Sequence, residues 1–365
     1  MRPDAENTAD ALPFGRHGVP GHVLAGLLEG AAAEEQGARP ISRSIALLRE
    51  AGLLTDDGTA DPARTARALM RIGAANLSVG RLWEGHVNAL HLIRLYGDPD
   101  QRSAVHGEIA NGAFLGVWGA DGADPVTVGP TGSKLSGRKR FASGLGTVSH
   151  AVVTVNSGPE VRLALIGVGD LDRADPFDWD MQGMKATASG SYDFTGLAVD
   201  SIGWIGAPGD YLKEPHFAGG VWRIAALQTG GAVGLVDAAS AQLRSLGRMQ
   251  AEAQKSRLMT ALAKLWAGMA MTERAAQAAA RGDLDAERVV CTSTSARLFT
   301  EEAALDAIRA VEQSLGLGHF AEGCETGRMA RDLSVYLRQA ARDAFLQRAA
   351  EHALGHDRRV WGVFG

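Results

Sequence analysis

Cysteine is scarce: Cys291 and Cys324 are the only two in 365 residues. Two thiols cannot build a disulfide framework or a thiolate metal cluster, and they point to a reducing, cytoplasmic setting. Positive charge is not in excess. The 37 Lys and Arg stand against 42 Asp and Glu, for a net charge of −5. No basic stripe runs through the chain, so nothing calls for nucleic acid. Long apolar runs are missing as well: the most apolar helical stretch, Leu258 to Met271, is interrupted by Lys264. No run therefore reads as long enough to span a membrane. Met1 to Asp10 is polar and acidic and does not read as a signal peptide. His86, His91 and His106 share no ligand spacing with carboxylates and read as packed or surface residues, so no metal is expected. Gly144-Leu145-Gly146 lacks the strand–helix unit of a dinucleotide fold. Ser189-Gly190-Ser191 lacks the setting of a nucleophile elbow. There are no short-period repeats and no low-complexity tract.

What is present is an ordinary globular composition, 45% hydrophobic and 22% charged, at a length that allows two or three domains with a large core. The periodicity changes twice. Residues 1–20 carry Pro3, Pro13, Gly15, Gly18 and Pro20 and read as an extended arm. From His22 to about Gly112 the pattern is helical, with Asp61-Pro62 and Asp98-Pro99 as starts and Gly52 and Gly97 as stops. From Phe114 to about Ile205 it is that of strands: Leu115–Trp118, the β-branched Ala151–Val155, Arg162–Val168, and Tyr192 to Val199. Leu135–Lys139 reads as a hairpin turning at Gly137. From Pro208 onward four long helices are expected: Gly219–Arg248, Ala251–Arg281, Asp283–Leu315 and Thr326–Leu354. The expected fold is α+β, with an N-terminal helical domain (1–112), a middle β domain (113–207) and a C-terminal four-helix bundle (208–365).

The stretch Lys134 to Val155, KLSGRKRFASGLGTVSHAVVTV, resembles the middle domain of the acyl-CoA dehydrogenase family of flavoproteins. That family has L-x-G-x-K, an aromatic, an aliphatic, a Ser or Thr and a Gly-containing turn before an apolar strand. The helical run from Gly73 to Gly116 and the segment Gly183-Met184-Lys185-Ala186-Thr187-Ala188-Ser189 are similar to further family segments. The likeness covers nearly the whole chain. It implies FAD with its ring between the β domain and the bundle, a homodimer or homotetramer, and a small-molecule substrate such as an acyl thioester.

The resemblance also assigns candidate site residues. Ser143 falls where the family's hydroxyl faces the flavin ring. Trp118 and Gly119 fall where a family Thr bonds the pyrimidine end; with no Thr here, their backbone N–H groups are the substitutes. Trp118 reads equally well as a core aromatic. Arg244, three residues before Gly247, with Gln254 seven residues after that Gly, and Gln313 with Gly316 and Gly318, match shortened forms of the patterns that hold FAD across a subunit interface. Each reads equally well as a helix cap. Arg331-Asp332 matches the family's R-D, or is a local ion pair.

The family's catalytic carboxylate is missing. Nine residues after Arg331 stands Ala340, with Arg338 and Gln339 before it; the alternative location before Arg223 holds Trp222. Arg223, Arg338 and Gln339 remain as substrate-pocket candidates, and Asp121, Asp124 and Glu214 as substitute bases. Three readings stay open: a dehydrogenase with a base from elsewhere, a monooxygenase using reduced flavin and oxygen, and a non-catalytic homologue.

Overall fold

A computed structural model describes residues 18–129, 134–198, 203–338, 341–355 and 360. Most of the arm read for residues 1–20 lies outside them. Five helices come first: α1 (Gly21–Glu35), α2 (Ser42–Glu50), α3 (Pro62–Ala75), α4 (Leu77–Tyr96) and α5 (Pro99–Ala110). Their starts follow from side chains that satisfy the otherwise unpaired first N–H groups. Asp61 accepts Arg64 N–H at 2.9 Å, Asn76 accepts Val79 N–H at 3.2 Å, and Asp98 forms a reciprocal capping box with Gln101. The buried carboxylate of Glu34 then ties α1 to α2 and α4, accepting from Ser44 Oγ at 2.5 Å and Asn76 Nδ2 at 2.8 Å.

Nine strands follow: β1 (Leu115–Trp118), β2 (Thr127–Val128), β3 (Leu135–Ser136), β4 (Arg138–Lys139), β5 (His150–Ser157), β6 (Glu160–Gly167), β7 (Ala174–Asp175), β8 (Ser191–Asp193) and β9 (Gly203–Ile205). One sheet runs β3-β2-β5-β6-β9, with β1 parallel to β5; a second runs β4-β8-β7. Ala151, Val152, Val153 and Val155 of β5 are all fully buried. That explains why this strand reads as a continuous apolar run: both of its faces are covered.

The hairpin expected at Leu135–Lys139 does not form. β3 pairs with β2 in the first sheet and β4 with β8 in the second, so Gly137 is a corner between sheets. Its φ is +111°, and a Cβ there would lie 2.3 Å from Pro125 O. Five residues cannot distinguish a turn between paired strands from a corner between sheets, because both need glycine's backbone freedom.

The C-terminal helices are α6 (Trp222–Ser245), α7 (Glu252–Ala279), α8 (Ala286–Leu315), α9 (Glu325–Tyr336) and α10 (Arg342–Leu354). The single fourth helix expected over Thr326–Leu354 is thus two. Ala341 stands at φ +65° before α10, which packs back on α8 through an Arg348–Glu287 ion pair at 2.5 Å. Arg, Gln and Ala around this break are all good helix formers, so composition carries no stop signal. The span Ala218–Ser245 is long and apolar enough to cross a membrane by length and composition alone, contrary to the reading above, but 67% of its apolar 18-residue window is buried inside the protein. It is the core helix. Gly230 and Gly234 let α6 press against α3, where a Cβ would come within 2.2 Å of Met70 O and 2.3 Å of Ala74 O.

Gly230→Ala should therefore destabilise the protein by about 1–3 kcal/mol through overpacking. Gly282→Ala, with nothing within 4 Å of the new Cβ, should lie near wild type. Urea denaturation of both variants checks the contrast; equal stabilities would contradict the close α3–α6 approach.

Candidate functional site

The site begins at the free edge of β1. Leu115 N–H leaves the sheet and donates to Nδ1 of His86 at 2.9 Å, while Nε2 of the same ring lies 2.7 Å from Leu54 O. This fixes the proton on Nε2 and makes His86 a packed core residue; burial pushes its pKa down to about 4. N–H directions alternate along a strand, so with Leu115 N–H leaving the sheet, Trp118 N–H turns toward β5; Gly119 follows the end of β1. Gly119 N–H has no acceptor among the described residues, while its carbonyl accepts the Thr154 hydroxyl at 3.1 Å. Trp118 itself is core. It is 2% exposed, packs on Tyr192 at 5.4 Å and donates from Nε1 to Ser143 O at 3.1 Å. Of the two backbone donors proposed from the sequence, only Gly119 is available.

Ser143 lies half-buried in the loop between β4 and β5. Its backbone neighbours are laced to a second loop: Ala142 N–H to Gly190 O, Gly144 N–H to Thr187 O and Leu145 N–H to Ala188 O, at 2.8–3.0 Å. Its hydroxyl meets that of Ser189 at 2.9 Å. Phe141, Met184 and Ala188 in these two loops have left-handed backbones, at φ +53°, +57° and +44°. Such residues cost about 1–3 kcal/mol each and persist only where their surroundings hold them.

Two carboxylates do the holding. Asp332 on α9 accepts Met184 N–H at 2.8 Å; Glu35 at the end of α1 accepts Lys185 N–H at 3.0 Å and Ala186 N–H at 2.9 Å. The ion pair of Asp332 is with Arg328, at 3.1 Å, and not with the adjacent Arg331. Burial, then the neighbouring Glu35, pushes the Asp332 pKa up to about 7.

On the bundle side, α4 and α6 enclose a charged cluster. Glu84 is bound by Arg81 at 2.8 Å and faces Arg223 at 3.6 Å; Arg223 donates to Asn88 at 2.6 Å. Burial, then Glu84, shifts the Tyr336 phenol upward, against the opposing pull of Arg81. Burial, then Arg223 and His216, pushes His91 down to about 3. The Tyr211 hydroxyl would lie 3.4 Å from a Cβ at Gly119, so this cluster abuts the β1 edge. Glu84 and Tyr211 were not read from the sequence. The one available signal was an acidic residue on the buried face of Leu82-Trp83-Glu84-Gly85-His86.

The candidate bases are placed elsewhere or engaged. Asp121 pairs with buried Lys139 and accepts Val126 N–H at 3.3 Å. Asp124 lines an open polar groove of about 770 Å³ between the sheets. Glu214 holds Arg348 at 2.7 Å and Ala218 N–H at 2.8 Å. Arg338 is 64% exposed and faces Glu301 at 4.0 Å, so it does not line the cluster. Gln339 lies outside the described residues.

The remaining candidates gather at one end of the bundle. Gln254 donates to Ser314 O at 3.0 Å and accepts from Arg257 at 2.8 Å, so both ends of its amide are used within the chain. Arg244 and Gln313 are exposed, and Gly316, at φ +65°, caps α8 with the exposed Gly318 beyond it. No described contact joins this end to Ser143 or Gly119.

No family model and no curated protein sequence matches the chain. Solved structures do. FMN-bound TdsC from Paenibacillus sp. A11-2, a dibenzothiophene monooxygenase, aligns with a TM-score of 0.80 at 18% identity, over 94% of this chain and 98% of that one. A nitrososynthase from Micromonospora carbonacea var. africana aligns at 0.78 and 18% identity, over 95% and 100%. KijD3, in complex with FMN and a dTDP-linked amino sugar, aligns at 0.76 and 19% identity, over 92% of each chain. At these identities the likeness shows the fold: α+β, acyl-CoA dehydrogenase-like, with helical domains and a C-terminal helical bundle.

A carboxyl whose folded pKa lies above its unfolded value of 3.8 binds its proton more tightly when folded. The Asp332 contribution to stability is therefore present below about 4 and is lost as pH rises through about 7. Asp332→Asn keeps the acceptor for Met184 N–H and supplies an N–H to Glu35. The wild-type Tm should fall between pH 5 and pH 8 by more than that of Asp332→Asn, as thermal scans would read; parallel profiles would show that the pair does not share a proton.

Proposed function

We propose that the chain is a flavin-dependent oxidoreductase of the monooxygenase kind, using reduced FMN and dioxygen on a small organic substrate. The observation that carries this is the state of the carboxylates. Among the described candidates, Asp121 is held by Lys139, Glu84 lies between Arg81 and Arg223, Glu214 is held by Arg348, and Asp124 is exposed in an open groove and not desolvated. Removing the α-proton of an acyl thioester needs a desolvated carboxylate in reach of it. The two family positions for one hold Ala340 and Trp222, and Trp222 is 3% exposed in the core.

The residues present fit a flavin ring. Gly119 offers a backbone donor with no acceptor among the described residues, next to the Tyr211 hydroxyl, which a Cβ there would meet at 3.4 Å. Ser143, whose carbonyl accepts from the Trp118 indole, offers a half-buried hydroxyl. A bound reduced flavin would supply the electrons for activating dioxygen. The protein's part is to bind and orient the ring through Gly119 and Ser143, with Trp118, Tyr192 and Phe194 packed on one another as the core behind them. The Glu84–Arg223 pair sets the charge on the bundle side. FMN is favoured over FAD because the Gln254 amide, the group matched to the far half of FAD, is engaged at both ends with Ser314 and Arg257. The FMN-containing structures of TdsC and KijD3 support the same choice. The exposed Arg244 and Gln313 are suited to a phosphate held by a second copy of the chain.

Titration of the purified protein with FMN and FAD, each oxidised and anaerobically reduced, tests this first. FMN should bind at least as tightly as FAD, and Ser143→Ala should weaken FMN binding by about 2- to 10-fold, the worth of one hydrogen bond. Oxygen-dependent turnover of an aromatic heterocycle or amino sugar with reduced FMN would support the reading. Anaerobic bleaching of the bound flavin by an acyl thioester would overturn it in favour of a dehydrogenase.

A further inference from the structure

Behind Ser143 runs a short row of hydroxyls. Thr187 Oγ1 lies 2.6 Å from Met184 O and 2.8 Å from Ser189 Oγ; Ser189 Oγ lies 2.9 Å from Ser143 Oγ; Ser143 Oγ lies 3.4 Å from Phe141 O. Four contacts thus ask for three protons. They cannot all be made together, so the row has a direction, and the direction decides what Ser143 presents. If Ser189 donates to Thr187, the Ser143 proton is drawn back to Ser189, and only lone pairs face the site. If Ser189 donates to Ser143, the Ser143 proton has only the long contact to Phe141 O and is free to turn to a ligand.

Geometry selects between them: the Ser189 hydroxyl is placed to donate to Ser143 Oγ at 2.9 Å. Thr187 is 1% and Ser189 3% exposed, so neither proton can be given to water. Ser143 alone is half-exposed. Met184 O, the competing acceptor, already receives Thr187 N–H at 3.2 Å. The row is closed at its inner end and open only at Ser143.

We propose that Ser189 is a positioning residue that turns Ser143 into a proton donor toward the acceptor edge of a bound flavin. This rests on the flavin reading above. It extends that reading from a residue that touches the ring to one that sets the polarity of the contact. It also gives a reason for the left-handed backbones of Met184 and Ala188 on either side of Thr187, which bring the second loop against Ser143.

The test is FMN titration with the visible spectrum of the bound flavin, on wild type, Ser189→Ala, Ser189→Thr and Thr187→Val, with thermal melting of each flavin-free protein. Ser189→Ala should weaken FMN binding by about 3- to 10-fold and shift the bound-flavin absorption, with Ser189→Thr restoring both. Thr187→Val removes the competing acceptor, so Ser189 must still donate to Ser143, and affinity and spectrum should stay close to wild type. Wild-type affinity and spectrum in Ser189→Ala would overturn the proposal while leaving the flavin site standing. Equal losses in Ser189→Ala, Ser189→Thr and Thr187→Val, each with a lowered flavin-free melting temperature, would overturn it in favour of simple loop packing. Failure of the wild type to bind either flavin would overturn the flavin reading itself, and the row would then have no ligand to serve.

Discussion

The grip of two carboxylates on three consecutive backbone N–H groups is the contact on which the site depends. Glu35 and Asp332 are nearly three hundred residues apart in the chain, and they meet side by side over residues 184–186. Hydrogen bonds from N–H to a carboxylate are stronger than those between neutral groups, and burial strengthens them further. That is what holds Met184 and Ala188 in conformations that side chains other than glycine's rarely adopt. The loop so held carries Thr187 and Ser189 against the loop of Ser143. Helices from the two ends of the chain thereby set the geometry of a hydroxyl in the middle of it. One of the two carboxyls keeps its proton to higher pH than usual because the pair is buried together. The same contact is thus both the brace of the site and its most pH-sensitive part.

The interior around this brace is charged but balanced. Glu84 between Arg81 and Arg223, and Glu301 among Arg297, Arg338 and Arg342, are buried carboxylates matched by guanidinium groups. Breaking such a pair strands a charge in the core and costs about 3–5 kcal/mol, although the intact pair adds little net stability. Carboxylates held in this way are poor proton acceptors, so on the proposed flavin reading the chemistry would belong to a bound cofactor. The protein would then contribute donors at Gly119 and Ser143, backed by the buried cluster of Trp118, Tyr192 and Phe194. Close helix packing makes the enclosure possible: Gly230 and Gly234 let α6 lie directly on the backbone of α3, bringing Arg223 into reach of Glu84 and Asn88.

Much of the architecture was legible from local pattern. Asp61-Pro62 and Asp98-Pro99 announced their helices, because a capping carboxylate and a proline in the first turn act within four residues. Leu115–Trp118 and Ala151–Val155 announced themselves as strands by β-branched and apolar side chains. Ser143 was reached only through its motif; no composition or period singled it out. The readings that erred were those needing knowledge of what lay across from a segment. Gly137 looked like a hairpin because its glycine answers equally to a corner between sheets. Thr326–Leu354 looked like one helix because nothing in its residues opposes helix, and the break at Ala341 comes from α10 folding back on α8.

The sequence by itself determined the order of helix, strand and helix, the caps, the buried strand and the absence of a carboxylate at either of its expected positions, since each of these resides in residue type and short-range spacing. Tertiary structure alone decided which donors are available. Trp118 N–H turns into the sheet, while Gly119 N–H, just past the end of β1, has no acceptor among the described residues; Gln254 is engaged by its own bundle; Asp332 pairs with Arg328 and grips a loop about 150 residues away. Glu84 becomes a site residue only when α6 brings Arg223 against it. The reason is physical: whether a polar group is free is a property of its surroundings, and those surroundings are supplied by segments far away in the chain.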